Sequence, residues 1–316
     1  MNTLLKKSIK IGAPLLFGAF LVWYSLSQVS VAVLATYFKN ADLSWIFLGL
    51  FFGVLSHLSR AYRWQFMLAP MGYKPAFANS VMAVFIGYLV NYAVPRAGEV
   101  SRAAVVANYE DIPFEKGFGT IVSERIADML MMLCIVAITL FLQFDFIYKL
   151  LIQNLNPVKI LILLTGVVAL FLGLTLYVKK AKKGVALKIK VFVQGLLEGL
   201  TSIFKMEKKW AFIFHTVFIW AMYVCMFWAT VPAIEGLEVP LGAVLIGFIA
   251  GGFSIAATNG GIGLYPVAVA GAFALFGIAA EPANAFGWIM WTAQTAMILV
   301  LGGLSFLFLP MYNKNT

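Results

Sequence analysis

The chain has 316 residues, of which 62% are hydrophobic and only 11% charged, and its mean hydropathy is +0.94. Soluble domains carry about 25% charged residues, so this chain has too little polar surface to cover itself in water and belongs in a bilayer. The net charge of +10 is no nucleic-acid footprint, because its basic residues flank hydrophobic spans instead of lying among exposed polar and aromatic ones.

In chain order, clear spans are predicted at about 12–34, 43–59, 118–142, 157–178, 210–232 and 284–309. Each offers about 17–26 apolar-rich residues, enough for a hydrocarbon core. Lys6, Lys7 and Lys10 precede the first, and Val33-Leu34-Ala35 mimics a cleavage site, but the apolar run is too long for a signal peptide. Two further regions are apolar but interrupted. The run at 78–95 holds Gly87 and Asn91 and stops at Pro95. The region 240–279 is split by Thr258-Asn259-Gly260-Gly261-Ile262-Gly263. Residues 184–204 read as an amphipathic surface helix or a linker helix with a solvated face, with Lys188 and Lys190 among leucines and valines.

Charge sets orientation. The N-terminal lysines and the cluster Lys179–Lys190 both belong on the cytoplasmic side, so an even number of crossings separates them. Counting 78–95 as a full span breaks that parity, so residues 78–108 are expected to dip in and return. Glu235, Glu238 and Glu281 flank 240–279 without nearby positive charge, which suits the outer face. The expectation is an all-α, polytopic helical membrane protein. Residues 1–316 form one transmembrane domain with six full spans and two broken hairpins of opposite orientation, both termini being cytoplasmic.

A charge inside a bilayer costs about 2.5–3.5 kcal/mol on insertion scales, so intramembrane charges mark paired or functional positions. Arg96, Glu99 and Arg102 follow Pro95, and Glu99 and Arg102 share a helix face. Arg96 sits at a break where free backbone N–H groups gather, a setting suited to an anionic group. Glu124, Arg125 and Asp128 open the 118–142 span, where either acid can neutralise Arg96 or Arg102 across helices. Arg60 and Arg63, followed by Trp64, fit an interface anchor, with substrate binding as the alternative. Asn259, Gly260, Gly261 and Gly263 supply irregular backbone at depth, which must line a cavity or be buried in protein.

No catalytic motif is found, and His57 and His215 read as bonded helix residues. No cofactor, disulfide framework or metal site is expected; Cys134 and Cys225 lie in apolar runs.

Ser59-Arg60-Ala61-Tyr62-Arg63-Trp64, Pro95-Arg96-Ala97-Gly98-Glu99-x-x-Arg102, Glu124-Arg125-x-x-Asp128 and Gly260-Gly261-Ile262-Gly263 together resemble the flippase-like transmembrane domain of bacterial lysylphosphatidylglycerol synthases and their stand-alone relatives. The resemblance covers about residues 10–310. It implies a non-enzymatic translocator of a phospholipid, or another lipid with an anionic headgroup phosphate, in the bacterial inner membrane. The alternatives are a membrane-embedded lipid-phosphate transferase and a scaffold for lipid synthesis. Membrane lipids are the implied partners, with a homo-oligomer and a separate lipid-synthesising enzyme as further candidates. The aminoacyl-transferase domain of the fused members is absent. Family members often carry a Glu shortly after the glycine-rich motif, where this chain has Leu264-Tyr265-Pro266.

Overall fold

A computed structural model describes residues 20–27, 29–94, 96–154, 165–166 and 206–314, with the side chains of 150–154 left aside. Apart from residues 165–166, the expected span at 157–178 lies outside the described residues, as does the expected surface helix at 184–204. The described residues are all-helical, as expected: α1 (Phe20–Ser27), α2 (Val31–Asn40), α3 (Leu43–Leu68), α4 (Phe77–Ala93), α5 (Gly98–Tyr109), α6 (Phe114–Leu142), α7 (Phe144–Asn154), α8 (Lys209–Ala229), α9 (Leu241–Ala257), α10 (Leu264–Ala274) and α11 (Ala280–Tyr312). One compact unit comprises Met1–Glu124 and Trp210–Thr316, and a second comprises Arg125–Lys209.

Among the described residues, four helical segments are long and apolar enough to cross a bilayer: Leu43–Met71, Phe114–Leu142, Lys209–Ala233 and Ala280–Tyr312. The chain is therefore a multi-pass membrane protein. The segment expected as one straight span at 12–34 is instead broken, with α1 and α2 meeting at 82°. Serines explain the break. Ser27 Oγ donates back to the Tyr24 carbonyl, and Ser30 Oγ accepts from Val33 N–H to start α2 afresh. The helix at 43–59 runs nine residues further than expected, carrying Arg60 and Arg63 inside it. In the second unit, α7 is a helix that no sequence signal announced.

The two interrupted regions are helical hairpins within the first unit. In the first, α4 and α5 meet so closely that a Cβ on Gly98 would collide with the Gly87 carbonyl oxygen. Asn91 on α4 accepts from Gly98 N–H at 2.7 Å and so caps α5. Both feet lie together: Glu110 Oε1, just past α5, accepts from Ala76 N–H at 2.9 Å, just before α4. The same oxygen accepts from Asn79, whose side-chain amide also exchanges hydrogen bonds with Asn313 past α11. In the second hairpin, Gly247 lies under Phe273 and Gly251 under Tyr265, which fixes α9 and α10 as antiparallel neighbours.

The hairpin tips meet. A Cβ on Gly260, at the turn between α9 and α10, would enter the ring of Tyr92 on α4. Gly260 and Gly263 adopt φ of +64° and +69°, a region L-residues rarely occupy, and Gly263 packs against the Leu21–Val22 backbone. Trp291 Nε1 donates to the Gly260 carbonyl at 2.8 Å, and Tyr92 Oη lies 3.2 Å from Thr295 Oγ1. Trp291 and Thr295 are in the middle third of the 33-residue α11, about 17 Å or more from either end at 1.5 Å per residue. The tips thus lie at mid-length of a spanning helix.

Gly98→Ala is expected to destabilise the protein by about 1–3 kcal/mol through overpacking. Gly303→Ala, where a Cβ meets nothing within 4 Å, is expected to be neutral or to stabilise by up to about 1 kcal/mol through helix propensity. Thermal melting of both variants in detergent checks the pair; equal melting points would show that the hairpin contact carries no strain.

Candidate functional site: three arginines on one glutamate

Arg60 and Arg63 are three apart on α3 and therefore share a face. That face is turned inward. Arg60 is 2% exposed, Arg63 0% and Glu124 0%. Arg60 Nη1 lies 2.7 Å from Glu124 Oε1, and Arg63 Nη2 lies 3.1 Å from the same oxygen. Arg102, from α5, grips both carboxylate oxygens, with Nη2 2.9 Å from Oε2 and Nη1 3.2 Å from Oε1. Such a two-pronged contact suits the planar fork of arginine.

Aromatic rings and hydroxyls wall the cluster. Arg102 Cζ stands 4.0 Å from the Trp64 ring centroid, and Arg63 Cζ 5.2 Å from that of Phe212. Trp64 Nε1 is itself fixed by Thr120 Oγ1 at 2.8 Å. Arg63 Nη1 donates to Thr216 Oγ1 at 2.9 Å, and Arg60 Nη2 to Tyr223 Oη at 3.5 Å, both from α8. Close by, Ser59 Oγ and His215 Nδ1 are 2.8 Å apart. Counting residues from the ends of α3, α5 and α6, the charges lie about 8–15 Å in from the end where the first hairpin has its feet.

Burial overturns the interface-anchor reading of Arg60 and Arg63. An anchor snorkels to headgroups, whereas these side chains are closed in by protein. The predicted joint role of Arg96 and Arg102 also divides. Arg102 belongs to the cluster, while Arg96 is exposed at the tip of the first hairpin with φ +60°. A non-glycine residue in that region costs on the order of 1–3 kcal/mol. Of the free backbone N–H groups expected at the break, that of Gly98 is taken by Asn91. Glu99 is half-buried on α5. Of the two acids expected to reach across helices, Glu124 does so. Asp128 is buried and pairs with Arg125 one turn away at 3.5 Å, within the second unit. Asn259, Gly260, Gly261 and Gly263 form the tip of the second hairpin, so the sequence-predicted residues other than Glu99, Arg125 and Asp128 occupy two places, the cluster and the tips.

Thr120, Thr216 and Tyr223 were not singled out by sequence reasoning. Each sits in an apolar run where a lone hydroxyl gives no signal. Tyr265, in the acid-free segment after the glycine-rich motif, is buried against Gly251.

Comparison with known proteins agrees with these motifs. Residues 11–303 match the family described as the lysylphosphatidylglycerol synthase TM region. The chain belongs to this family. Among its similar relatives is the UPF0104 membrane protein MJ1595 of Methanocaldococcus jannaschii, 29% identical over 92 residues, covering 28% of this chain and 27% of the relative. Another is the UPF0104 membrane protein PH1989 of Pyrococcus horikoshii, 23% identical over 176 residues, covering 54% of this chain and 48% of the relative. The matches thus span about half or less of these archaeal relatives. No solved structure matches significantly. For this member of the synthase TM-region family, Arg60, Arg63, Arg102 and Glu124 are the residues that geometry brings together.

Glu124→Gln is expected to cost about 3–5 kcal/mol, because it leaves buried guanidinium groups without their carboxylate. Glu238→Gln, on an exposed side chain, is expected to stay within about 0.5 kcal/mol. Denaturation in mixed micelles measures both, and similar values for the two would contradict the shared-carboxylate geometry.

Proposed function

We propose that this membrane protein translocates a lipid with an anionic phosphate headgroup between the two leaflets. The observation that carries the reading is the convergence of Arg60, Arg63 and Arg102 on one carboxylate. Three forked donors around an anion suit a phosphate, which offers more acceptor oxygens than a carboxylate does. In this mechanism the headgroup phosphate joins Glu124 among the three arginines, and Glu124 holds them in place when the lipid has left. The acyl tails remain in hydrocarbon.

The hairpins support the same reading. Broken helices whose tips meet at mid-length suit a site reached from either side in turn. Exposed Arg96 at one tip gives the phosphate a charged partner between the cluster and the far half of the protein. Its unfavourable backbone conformation is consistent with a residue held for function.

The test is reconstitution with acyl-labelled phosphatidylglycerol, following the label's accessibility to an impermeant quencher. A hydrogen bond to a charged group is worth about 1.5–3 kcal/mol. Arg96→Ala and Arg102→Ala are therefore each expected to lower protein-dependent translocation on the order of 10–100-fold, with labelled phosphatidylcholine as the comparison lipid. Unchanged flux in both variants would sink the reading in favour of a scaffold for lipid synthesis.

A further inference from the structure

His57 lies on α3, one turn before Arg60, and is 5% exposed. Its ring is enclosed by Tyr88 and Phe85 of α4, at 4.7 and 5.4 Å between centroids, and by Tyr223 of α8 at 5.9 Å. Tyr223 connects this pocket to the arginine cluster. Its hydroxyl accepts from Arg60 Nη2, and it is also hydrogen-bonded to Tyr88. A line of buried and half-buried polar side chains therefore runs from Glu124 through Arg60, Tyr223 and Tyr88, whose ring contacts the imidazole. One turn further along α4, Tyr92 meets Thr295 beside the hairpin tips.

Among these groups the imidazole is the one whose ordinary titration falls between pH 5 and 8. Two titratable groups are in ring contact with it, Tyr88 from α4 and Tyr223 from α8, while Arg60 lies one turn on along its own helix with Glu124 of α6 on that guanidinium. On the α11 side, Met297 approaches α3 one turn earlier, at Gly53.

We propose that His57 takes up a proton when an anionic headgroup enters the Arg60–Arg63–Arg102 cluster, so that lipid and proton are carried together. This rests on the translocation reading and names its coupling ion. Three guanidinium groups on one carboxylate leave the empty cluster with a net charge of +2, and a headgroup phosphate lowers it to +1, which weakens the repulsion that an imidazolium one turn from Arg60 meets. A proton on the imidazole, one helical turn from Arg60, keeps the charge of the loaded site equal to that of the empty one. Binding linkage is reciprocal: if the headgroup favours the proton, the proton favours the headgroup.

The experiment is calorimetric titration of the full chain in detergent with short-chain phosphatidylglycerol, in two buffers of different ionisation enthalpy. The phosphodiester of this probe keeps one charge across the range, so any proton exchanged belongs to the protein. Wild type is expected to take up close to one proton per lipid bound, and its affinity to fall by up to about tenfold per pH unit as the imidazole loses its proton. His57→Phe is expected to bind the lipid without proton uptake and with affinity flat in pH. Lipid binding to wild type without proton uptake overturns the proposal and leaves the translocation reading standing, as does undiminished uptake by His57→Phe. No binding to wild type at any pH overturns both. If His57→Phe does not fold, His57→Gln gives the same reading: uptake retained by that variant overturns the proposal, and uptake lost supports it.

Discussion

Glu124 keeps three guanidinium groups together out of reach of water, and the helices carrying them are placed by that requirement. Arg60 and Arg63 commit α3, Arg102 commits α5 and Glu124 commits α6. A buried ion pair need not stabilise a fold relative to an apolar core, but losing one partner of it is expensive. The cluster therefore acts as a constraint: helices that fail to meet there leave charge stranded in a medium that cannot solvate it. Trp64 and Phe212 close the sides and exclude competing water.

Glycine performs the complementary task at the tips. Polar backbone at mid-length of a spanning helix has no water to bond, so it must be enclosed by protein. Gly87 and Gly98 let the α4 and α5 backbones touch, while Gly260 and Gly263 supply a turn no other residue makes cheaply. Trp291 takes the carbonyl that the turn at Gly260 would leave orphaned. Small residues thus permit the close approach, and large neighbours satisfy the backbone that it exposes. Gly49 and Gly53 do the same along α3, where they meet Thr230 just past α8 and Met226 within it.

Much of this was legible in the residues themselves. Pro95 and Gly98 mark the break between α4 and α5, and the run from Thr258 to Gly263 marks that between α9 and α10, because local backbone chemistry determines both. That Glu124 or Asp128 would neutralise Arg96 or Arg102 followed from charge being intolerable alone, and the fold selects Glu124 with Arg102. The role of Arg60 and Arg63 was not legible. Two arginines and a tryptophan near a span's end look the same whether they snorkel to headgroups or face inward, and the deciding carboxylate comes 64 residues after Arg60. The bend between α1 and α2 was hidden because serines are tolerated within an apolar span until their hydroxyls are seen to cap. Tyr223 and Thr216 were hidden inside α8 for the same reason, since a hydroxyl in an apolar run shows nothing about the partner it will meet.

Retention of lipid tests the central claim, that the arginine cluster is an anion seat and not only a structural pin, most directly. Native mass spectrometry of wild type and of an Arg63→Gln variant, each purified with its co-extracted lipids, reads it out without any transport assay. The account predicts a phosphate-bearing anionic lipid on wild type that is lost from the variant while zwitterionic lipids stay. Equal anionic lipid on two folded proteins would contradict it and leave the arginines with Glu124 as their sole purpose.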